Sequence, residues 1–420
     1  MTAATPRAVA EALARLREAG AALRRRPARE TLDALARVLE LWRDPASEPR
    51  RALEKELPDA TGFHPATVRE GLARALAPWS GEALRALVER EVGGPDALDG
   101  RGPLLAGGFE TTALLLAGVL PAPTLLAMLA PLALRSPVLV KPSQHDPVTA
   151  RLVAGSLAEV DPGLGRCAAV VRFAGGDEAC AAALLEADCV VATGSDETVA
   201  AVAARVRPPR RLVACGHRLS LAAFGPGALG GGALDDAARR LALDTALWDQ
   251  LGCLSPLALY GVGDAAASER VGEALARALA DAEGRWPRGR IPPEAAALAS
   301  RERSLAEMRG ARVWQGDGAR WSVVCAGDAR PRPAPLYRFL HVHPVAHAAA
   351  LVEAIRPHGP HLACVALEGF GRETRALARA LGGLGASRIC WPGEMQSPPL
   401  AWRRDNRGVL EPLARFSDLE

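Results

Sequence analysis

The chain of 420 residues carries 51 basic and 48 acidic side chains, and its net charge of +3 gives no basic excess of the kind that binds nucleic acid. Aromatic residues make up 4% of the chain, which is too few for a base-stacking surface. The length predicts about two to three domains with ample buried core.

The first 95 residues are rich in alanine, leucine, arginine and glutamate at helical spacing, broken at Pro45, Pro58 and Pro65. Residues 1–95 are therefore predicted to form a helical N-terminal region. Acidic residues accompany the arginines there, unlike in a secretory signal. The eight cysteines of the chain include no C-x-x-C pair, which is typical of a reducing compartment. We expect a cytoplasmic protein.

An uncharged stretch, Thr111–Leu134, is long enough to span a bilayer. Its Pro121 and Pro123 would break a helix near the middle of the stretch. The pattern instead predicts a buried strand at Ala113–Val119, a tight loop, and a short apolar helix at Thr124–Leu134. We therefore expect no membrane span.

Apolar strand patterns then alternate with helical patterns, which is typical of parallel sheets covered by helices on both faces. We predict one α/β domain over residues 96–248, a second over residues 249–390, and a tail over residues 391–420 that returns to the core or to an oligomer interface. The further strands predicted are Val138–Lys141, Ala168–Phe173, Cys189–Thr193, Arg211–Cys215, Ser220–Phe224, Leu257–Val262, Phe339–His343, Leu362–Leu367 and Arg388–Cys390.

Two segments at predicted strand ends suit a nucleotide. The chain has only two lysines, and Lys141 ends an apolar strand just before Ser143, where an ammonium group can meet a ribose hydroxyl or a phosphate. A lysine that merely reaches solvent from a strand end is the alternative. Thr193, Gly194 and Ser195 open a predicted helix, whose amides attract phosphate or are simply capped. No G-x-G-x-x-G fingerprint occurs.

Cys253 lies in the stretch Trp248-Asp-Gln-Leu-Gly-Cys-Leu-Ser-Pro256, at the junction of the two predicted domains, where ligands tend to bind. Gly252 has no Cβ, so a substrate carbonyl could come close to the sulfur. A thiolate can accept an acyl group and release it again. A small buried cysteine is the alternative interpretation of the same residue.

A metal site is a second kind of centre that the sequence suggests. His341, His343 and His347 lie within seven residues, and imidazole binds zinc, copper or iron. No carboxylate or cysteine pattern accompanies them. We favour a polar rim between a strand and a helix, and we expect no metal.

Several motifs occur together along the chain: Val138-Leu-Val-Lys-Pro-Ser143, Ala192-Thr-Gly-Ser-Asp-Glu-Thr198, Gly216-His-Arg218, Asp249-Gln-Leu-Gly-Cys-Leu-Ser-Pro256, the Phe63–Trp79 region and the Trp391–Trp402 stretch. This combination resembles the long-chain acyl-CoA reductases of the bacterial bioluminescence type, within the aldehyde dehydrogenase superfamily. The resemblance covers most of the chain. It implies an α/β fold of the aldehyde dehydrogenase type, with two parallel-sheet domains and a helical N-terminal region.

The resemblance also implies a cofactor site in the domain at residues 96–248. Lys141 and Ser143 would contact the adenosine ribose or its 2′-phosphate, and Thr193, Gly194 and Ser195 would lie near the pyrophosphate. The cofactor would be NADPH, with NADH as the alternative. The acyl donor would be acyl-CoA, an acyl carrier protein, or a partner acyl-protein synthetase or acyltransferase. The protein itself is expected to be a homo-oligomer.

Two positions depart from the superfamily pattern. Hydrolytic aldehyde dehydrogenases carry a glutamate base where this chain has Ala214, and its loss suits a reductase, which has to protect a thioester from water. His217 nearby is either a proton shuttle or a structural histidine. Val119 replaces an asparagine that binds the oxyanion, and losing such a donor typically costs ~2.7–4 kcal/mol.

Three hypotheses for function follow. We favour NADPH-dependent reduction of an acyl thioester to an aldehyde through an acyl-Cys253 intermediate. An NAD(P)-dependent aldehyde dehydrogenase would need a water-activating base that the sequence does not reveal. A non-catalytic scaffold that binds acyl groups or a carrier, with a degenerate site, would account for Val119.

Overall fold

A layer of helices forms the N-terminal region of the computed structural model, which describes residues 3–332 and 334–420. Thr5 and Ser47 cap helices whose first turns carry proline, where the missing amide costs nothing. Gly62 ends the third helix at φ 85°, a left-handed conformation that glycine adopts readily. The helices are α1 (Pro6–Arg25), α2 (Ala28–Arg43), α3 (Glu48–Thr61), α4 (Pro65–Leu76), α5 (Gly81–Val92) and α6 (Gly94–Leu98).

Next in the chain comes a parallel sheet, called here the N-terminal sheet. The strands in this part of the chain are β1 (Leu104–Gly107), β2 (Thr112–Leu115), β3 (Val138–Lys141), β4 (Ala168–Val170), β5 (Cys189–Thr193) and β6 (Arg211–Cys215). The helices between them are α7 (Pro121–Ala133), α8 (Thr149–Val160), α9 (Pro162–Arg166), α10 (Glu178–Leu184) and α11 (Asp196–Ala203). The sheet has the order β4-β3-β2-β5-β6, so successive strands run outward from β2 first on one side and then on the other. This reversal creates a crevice at the carboxyl ends of β2 and β5.

The stretch that could have been mistaken for a membrane span is a strand and a helix, as predicted, with different bounds. β2 ends at Leu115 rather than at Val119, because the chain then turns through Gly118 at φ 90°. α7 begins at Pro121 rather than at Thr124, since prolines in a first turn need no amide partner. No helix of the described residues is long and apolar enough to cross a membrane.

A second sheet, called here the C-terminal sheet, follows. Its strands are β7 (Leu219–Phe224), β8 (Pro256–Val262), β9 (Arg312–Gln315), β10 (Ser322–Cys325), β11 (Phe339–Val345), β12 (Leu362–Glu368) and β13 (Arg388–Cys390). Their order is β13-β12-β7-β8-β11-β10-β9, and all neighbours are parallel except β9 and β10. The covering helices are α12 (Gly231–Ala246), α13 (Ala265–Arg285), α14 (Pro293–Met308), α15 (Ala348–Ile355) and α16 (Thr374–Leu384).

The place where the chain changes sheets differs from the expectation. We predicted that the first α/β unit runs to residue 248 and includes the strand at Ser220–Phe224. That strand, β7, instead pairs with β8 and β12 in the C-terminal sheet. The chain therefore crosses between the sheets at residues 216–218, directly after β6. An alternation of strands and helices does not reveal to which sheet a strand adds.

The C-terminal tail lies against both halves of the molecule. Its last strand, β14 (Arg415–Asp418), pairs antiparallel with β1. Upstream of β14, Leu410 and Leu413 are buried in the core that the N-terminal helices form with the N-terminal sheet. Met395 is buried in the core of the C-terminal sheet. The tail therefore closes over the region where the two sheets meet.

Candidate active site

Two sheet edges face each other at the candidate site. The linker of residues 216–218 joins the carboxyl end of β6 to the amino end of β7, so these strand ends lie close together. Cys253 precedes β8, the neighbour of β7, by three residues. The Ser220 hydroxyl on β7 donates a 2.6 Å hydrogen bond to the carbonyl oxygen of Cys253. The cysteine is thereby fixed beside the crossing, opposite the carboxyl edge of the N-terminal sheet.

The Cys253 loop is packed tightly from the side of β2. Cys253 is half-buried. A Cβ atom on Gly252 would lie 2.9 Å from the Leu120 side chain, in the loop after β2. The space left by the missing Cβ is thus occupied by Leu120, whereas we expected it to admit a substrate carbonyl. Gly252 lets the two loops approach each other.

Buried polar side chains fix the Cys253 loop to the neighbouring strands and to the tail. Gln250 is buried, and its amide donates to the carbonyl oxygens of Pro256 (2.8 Å) and Phe339 (3.1 Å) while its Oε1 accepts from the Phe339 amide (2.6 Å). Gln396 of the tail donates to the Ser255 hydroxyl at 3.2 Å. These bonds tie the loop to β8, to β11 and to the tail.

The opposite edge carries the lysine that the sequence singled out. Lys141 is half-buried at the end of β3, and its Nζ lies 5.9 Å from the centroid of the Phe173 ring. Burial lowers the pKa of Lys141. Within residues 3–332 and 334–420, no carboxylate lies within ion-pair distance of its ammonium group. Ser143 is buried, and its hydroxyl accepts from the His145 amide at 3.1 Å.

The second predicted cofactor segment follows β5. The Thr193 hydroxyl donates to the Leu115 carbonyl oxygen (3.0 Å) and accepts from the Ala117 amide (2.9 Å), which fixes the loop after β2. Ser195 is exposed, and its hydroxyl caps α11 by accepting from the Thr198 amide at 3.3 Å. Gly194 is half-buried between them. Both hydroxyl groups therefore serve local structure, which leaves backbone amides to face a ligand.

Lys141 and Thr193 reach the same edge of the N-terminal sheet. Leu115 at the end of β2 is paired with Lys141 on one side and with Ala192 on the other. The two residues therefore flank the crevice of the sheet, about 10 Å apart at the usual strand spacing.

His217 lies in the linker between the sheets and is exposed. Its amide donates to Asp196 Oδ1 at 2.8 Å, and its ring lies 6.0 Å from that of His361. In the described part of the chain, no hydrogen bond joins the His217 imidazole to Cys253. The role of His217 as a proton shuttle stays a prediction.

His341, His343 and His347 do not converge on one point. The His341 and His343 rings stack in the sheet interior, 5.8 Å apart. His343 Nδ1 bonds to the Asp328 carbonyl oxygen at 2.9 Å, and burial lowers the pKa of His343. His347 caps α15. The described residues hold no cluster of three or more side chains suited to a metal ion.

Comparison with known proteins identifies the family to which this chain belongs. A family model described as acyl-CoA reductase (LuxC) matches residues 23–416. The chain belongs to the LuxC acyl-CoA reductase family. The resemblance that the motifs carry is thus confirmed, and the protein is an oxidoreductase. No curated protein matches the chain.

Solved structures show the fold of this LuxC-family chain. It is similar to a bifunctional proline utilization A (PutA) protein, with a TM-score of 0.78 at 19% identity over 100% of this chain and 45% of that one. The chain thus spans less than half the length of that protein. A putative methylmalonate-semialdehyde dehydrogenase from Sinorhizobium meliloti 1021, complexed with NAD, gives 0.74 at 16% identity over 100% and 90%. An NAD-dependent benzaldehyde dehydrogenase from Corynebacterium glutamicum gives 0.75 at 16% over 100% and 91%. The predicted fold class is confirmed.

The LuxC-family chain also brings residues to the site that sequence reasoning missed. Gln396 and Arg404 come from the tail, and Asp244 comes from α12. Asp244 is fully buried, accepts from the Gly393 amide at 2.5 Å, and has its pKa raised to about 7 by burial. Of these three residues, only Gln396 lies within a motif that the sequence singled out, the Trp391–Trp402 stretch.

Proposed function

We propose that the protein reduces an acyl thioester to an aldehyde through a covalent acyl-Cys253 intermediate. The Cys253 sulfur forms a bond to the acyl carbon, and the donor thiolate leaves and takes up a proton. Hydride added to the acyl carbon then gives a thiohemiacetal. Its carbon–sulfur bond breaks, which releases the aldehyde and returns the Cys253 thiolate. Overall, the acyl thioester, the reduced nicotinamide and a proton are converted to the aldehyde, the free thiol and the oxidised nicotinamide.

The observation that carries this proposal is the position of Cys253 at the meeting of the two sheet edges. A half-buried thiol beside the end of β6 can be reached by an acyl chain and by a ligand on the edge of the N-terminal sheet. Ala214 lies at this end of β6, so it offers no proton acceptor to a water molecule. A thioester at Cys253 would therefore persist until hydride arrives.

The edge of the N-terminal sheet fits a nicotinamide cofactor. A bound nicotinamide would supply the hydride. Lys141 has a half-buried cationic group with an aromatic neighbour but no anionic partner in the described chain, which suits a phosphate or ribose. The start of α11 offers backbone amides across the crevice, whereas the Gly194 amide already donates to the Cys215 carbonyl oxygen at 3.2 Å. We propose NADPH as the cofactor, because an unpaired ammonium group favours the additional 2′-phosphate.

The acyl donor and the assembly belong to the same proposal. We propose acyl-CoA or an acyl carrier protein as the donor, with a partner acyl-protein synthetase or acyltransferase as a further source, and a homo-oligomer as the working form. Incubation of the purified chain with each donor would identify the source of the acyl group. Light scattering would give the assembly.

Intact-protein mass spectrometry tests the reaction. Wild type incubated with an acyl-CoA should gain the mass of one acyl group, and NADPH should discharge it with release of aldehyde. Cys253→Ala should gain no acyl mass, and Cys390→Ala, which removes another half-buried thiol, should behave as wild type. An adduct that NADPH cannot discharge would indicate an acyl-binding scaffold. NAD(P)-dependent oxidation of an aldehyde to a free acid would indicate a dehydrogenase.

A further inference from the structure

Arg404 lies in a short 3₁₀ turn, Arg404–Asn406, which the structure fixes against both sides of the crossing. Asp405 accepts from the guanidinium of Arg218 in the linker between the sheets. Arg407 donates to the carbonyl oxygen of Ala214 at the end of β6. The turn is therefore anchored next to the strand ends that flank Cys253.

The Arg404 side chain is unusual among the arginines of this region. Its Nε is buried and has no acceptor. Within the described chain, its guanidinium group makes no hydrogen bond and no ion pair, whereas Arg218 and Arg407 are both paired. A buried donor without a partner is unfavourable, so this geometry is costly unless a ligand supplies the missing acceptor.

The guanidinium group of Arg404 lies within electrostatic range of two thiols. Burial by itself lowers the pKa of Arg404, but electrostatic interaction with Cys253, followed by that with Cys215, raises the pKa above its ordinary value. Burial raises the pKa of Cys215, so this second thiol stays protonated. Arg404 thus presents a permanent positive charge within electrostatic range of the Cys253 sulfur.

On the side of β2, the described loop of residues 116–120 offers Cys253 no side-chain donor. The loop after β2 contacts Gly252 through Leu120, and the neighbouring Val119 is half-buried and apolar. In the superfamily that the motifs resemble, an asparagine in this place would donate to the developing oxyanion. The loop in this chain cannot do so with a side chain.

We propose that Arg404 donates to the oxyanion that forms at the substrate carbonyl, in place of the side-chain donor that Val119 does not provide; this inference rests on the reductase function proposed above. When the Cys253 sulfur attacks, the carbonyl π electrons move to oxygen, and a guanidinium N–H stabilises them until the donor thiolate leaves. Hydride addition to the acyl carbon creates negative charge on the same oxygen again. An arginine suits this place because it donates but holds no lone pair that could activate water.

Single-turnover acylation tests the proposal. Arg404→Gln should slow acyl transfer from saturating acyl-CoA to Cys253 by ~10²–10³-fold, the usual effect of removing one oxyanion donor. Arg404→Lys should recover part of the rate. The matched control is Arg403→Gln, because Arg403 is exposed and its neighbour in sequence, and this variant should acylate at the wild-type rate. Thermal unfolding checks that each variant folds.

Two further readouts separate an oxyanion donor from other roles. Alkylation of Cys253 by iodoacetamide forms no oxyanion, so Arg404→Gln should slow alkylation far less than acylation. The Kd of NADPH, followed by its fluorescence, should stay at the wild-type value. Equal losses in alkylation and acylation, unchanged acylation, or a defect confined to NADPH binding would each overturn the proposal. A wild-type protein that forms no acyl adduct would instead contradict the reductase function itself.

Discussion

The buried carboxylate of Asp249 and the guanidinium of Arg338 lie 2.7 Å apart and join two left-handed stretches of backbone. Residues 248–250 have φ of 58°, 48° and 62°, and residues 336–338 have φ of 67°, 54° and 69°. The Tyr337 amide also donates to the Asp249 carbonyl oxygen at 3.0 Å. Left-handed residues other than glycine are strained and persist only where their surroundings enforce them. This ion pair therefore helps to enforce the backbone that leads into Cys253.

Removing the cation of this pair should destabilise the protein strongly. Arg338→Met leaves the Asp249 carboxylate buried without its partner, and Arg338 also binds Glu283 at 2.7 Å. We expect a loss of about 3–5 kcal/mol in the free energy of unfolding, measured by urea denaturation. The control is Arg356→Met, whose ion pair with Glu353 is exposed, and it should change stability little. Similar losses in both variants would contradict the structural role of the buried pair.

Stability should also depend on pH through Asp244. Burial raises the pKa of Asp244 to about 7, so between the unfolded value near 4 and about 7 the native state holds a proton that the unfolded chain releases. Stability is greatest below this range and falls as pH rises through it, by up to about 1.4 kcal/mol per pH unit.

Asp244→Asn tests this dependence, because the amide stays neutral. Urea denaturation at pH 5, 6, 7 and 8 should show a shallower fall of stability with pH in the variant than in wild type. Asp235→Asn on the same helix alters a half-exposed ion pair with Arg277 and should keep the wild-type dependence. Parallel curves for wild type and Asp244→Asn would mean that Asp244 does not titrate in this range.

Local pattern predicted much of the fold. The strands Val138–Lys141, Cys189–Thr193 and Arg211–Cys215 are confirmed residue for residue, because each is a short, mainly apolar run bounded by proline, glycine or a charged residue. The sheet to which Ser220–Phe224 adds was not predictable, since it depends on pairing with distant strands.

The site was predictable only in part, for a related reason. Cys253 and Lys141 stand out locally, one in a loop at a domain junction and one at a strand end. Arg404 and Gln396 reach the site through tertiary packing of the tail, which no local pattern encodes. The left-handed conformation of residues 248–250 was also not predictable from the sequence, because tertiary contacts override the intrinsic backbone preference of these residues.

Lys141 should determine the choice of cofactor. If its ammonium group binds the 2′-phosphate, Lys141→Gln should raise the KM for NADPH about tenfold or more, the loss expected for one charge-assisted bond, and change that for NADH little. Lys55→Gln, the other lysine of the chain, should leave both values unchanged. Initial rates with either cofactor at saturating acyl-CoA provide the measurement. Equal increases for NADPH and NADH would place Lys141 at a group that the two cofactors share.

Cys253 should react with electrophiles before the enclosed cysteines Cys167, Cys189 and Cys325 do. Burial raises the pKa of Cys167 to about 11, of Cys189 to about 12 and of Cys325 to about 11, so these groups stay protonated and enclosed. Cys253 is half-buried at the meeting of the sheets. Limited iodoacetamide at pH 8 followed by peptide mapping should find the label on Cys253 before those three, and prior acylation should block it. Labelling of Cys167, Cys189 or Cys325 ahead of Cys253 would contradict an accessible nucleophile at this junction.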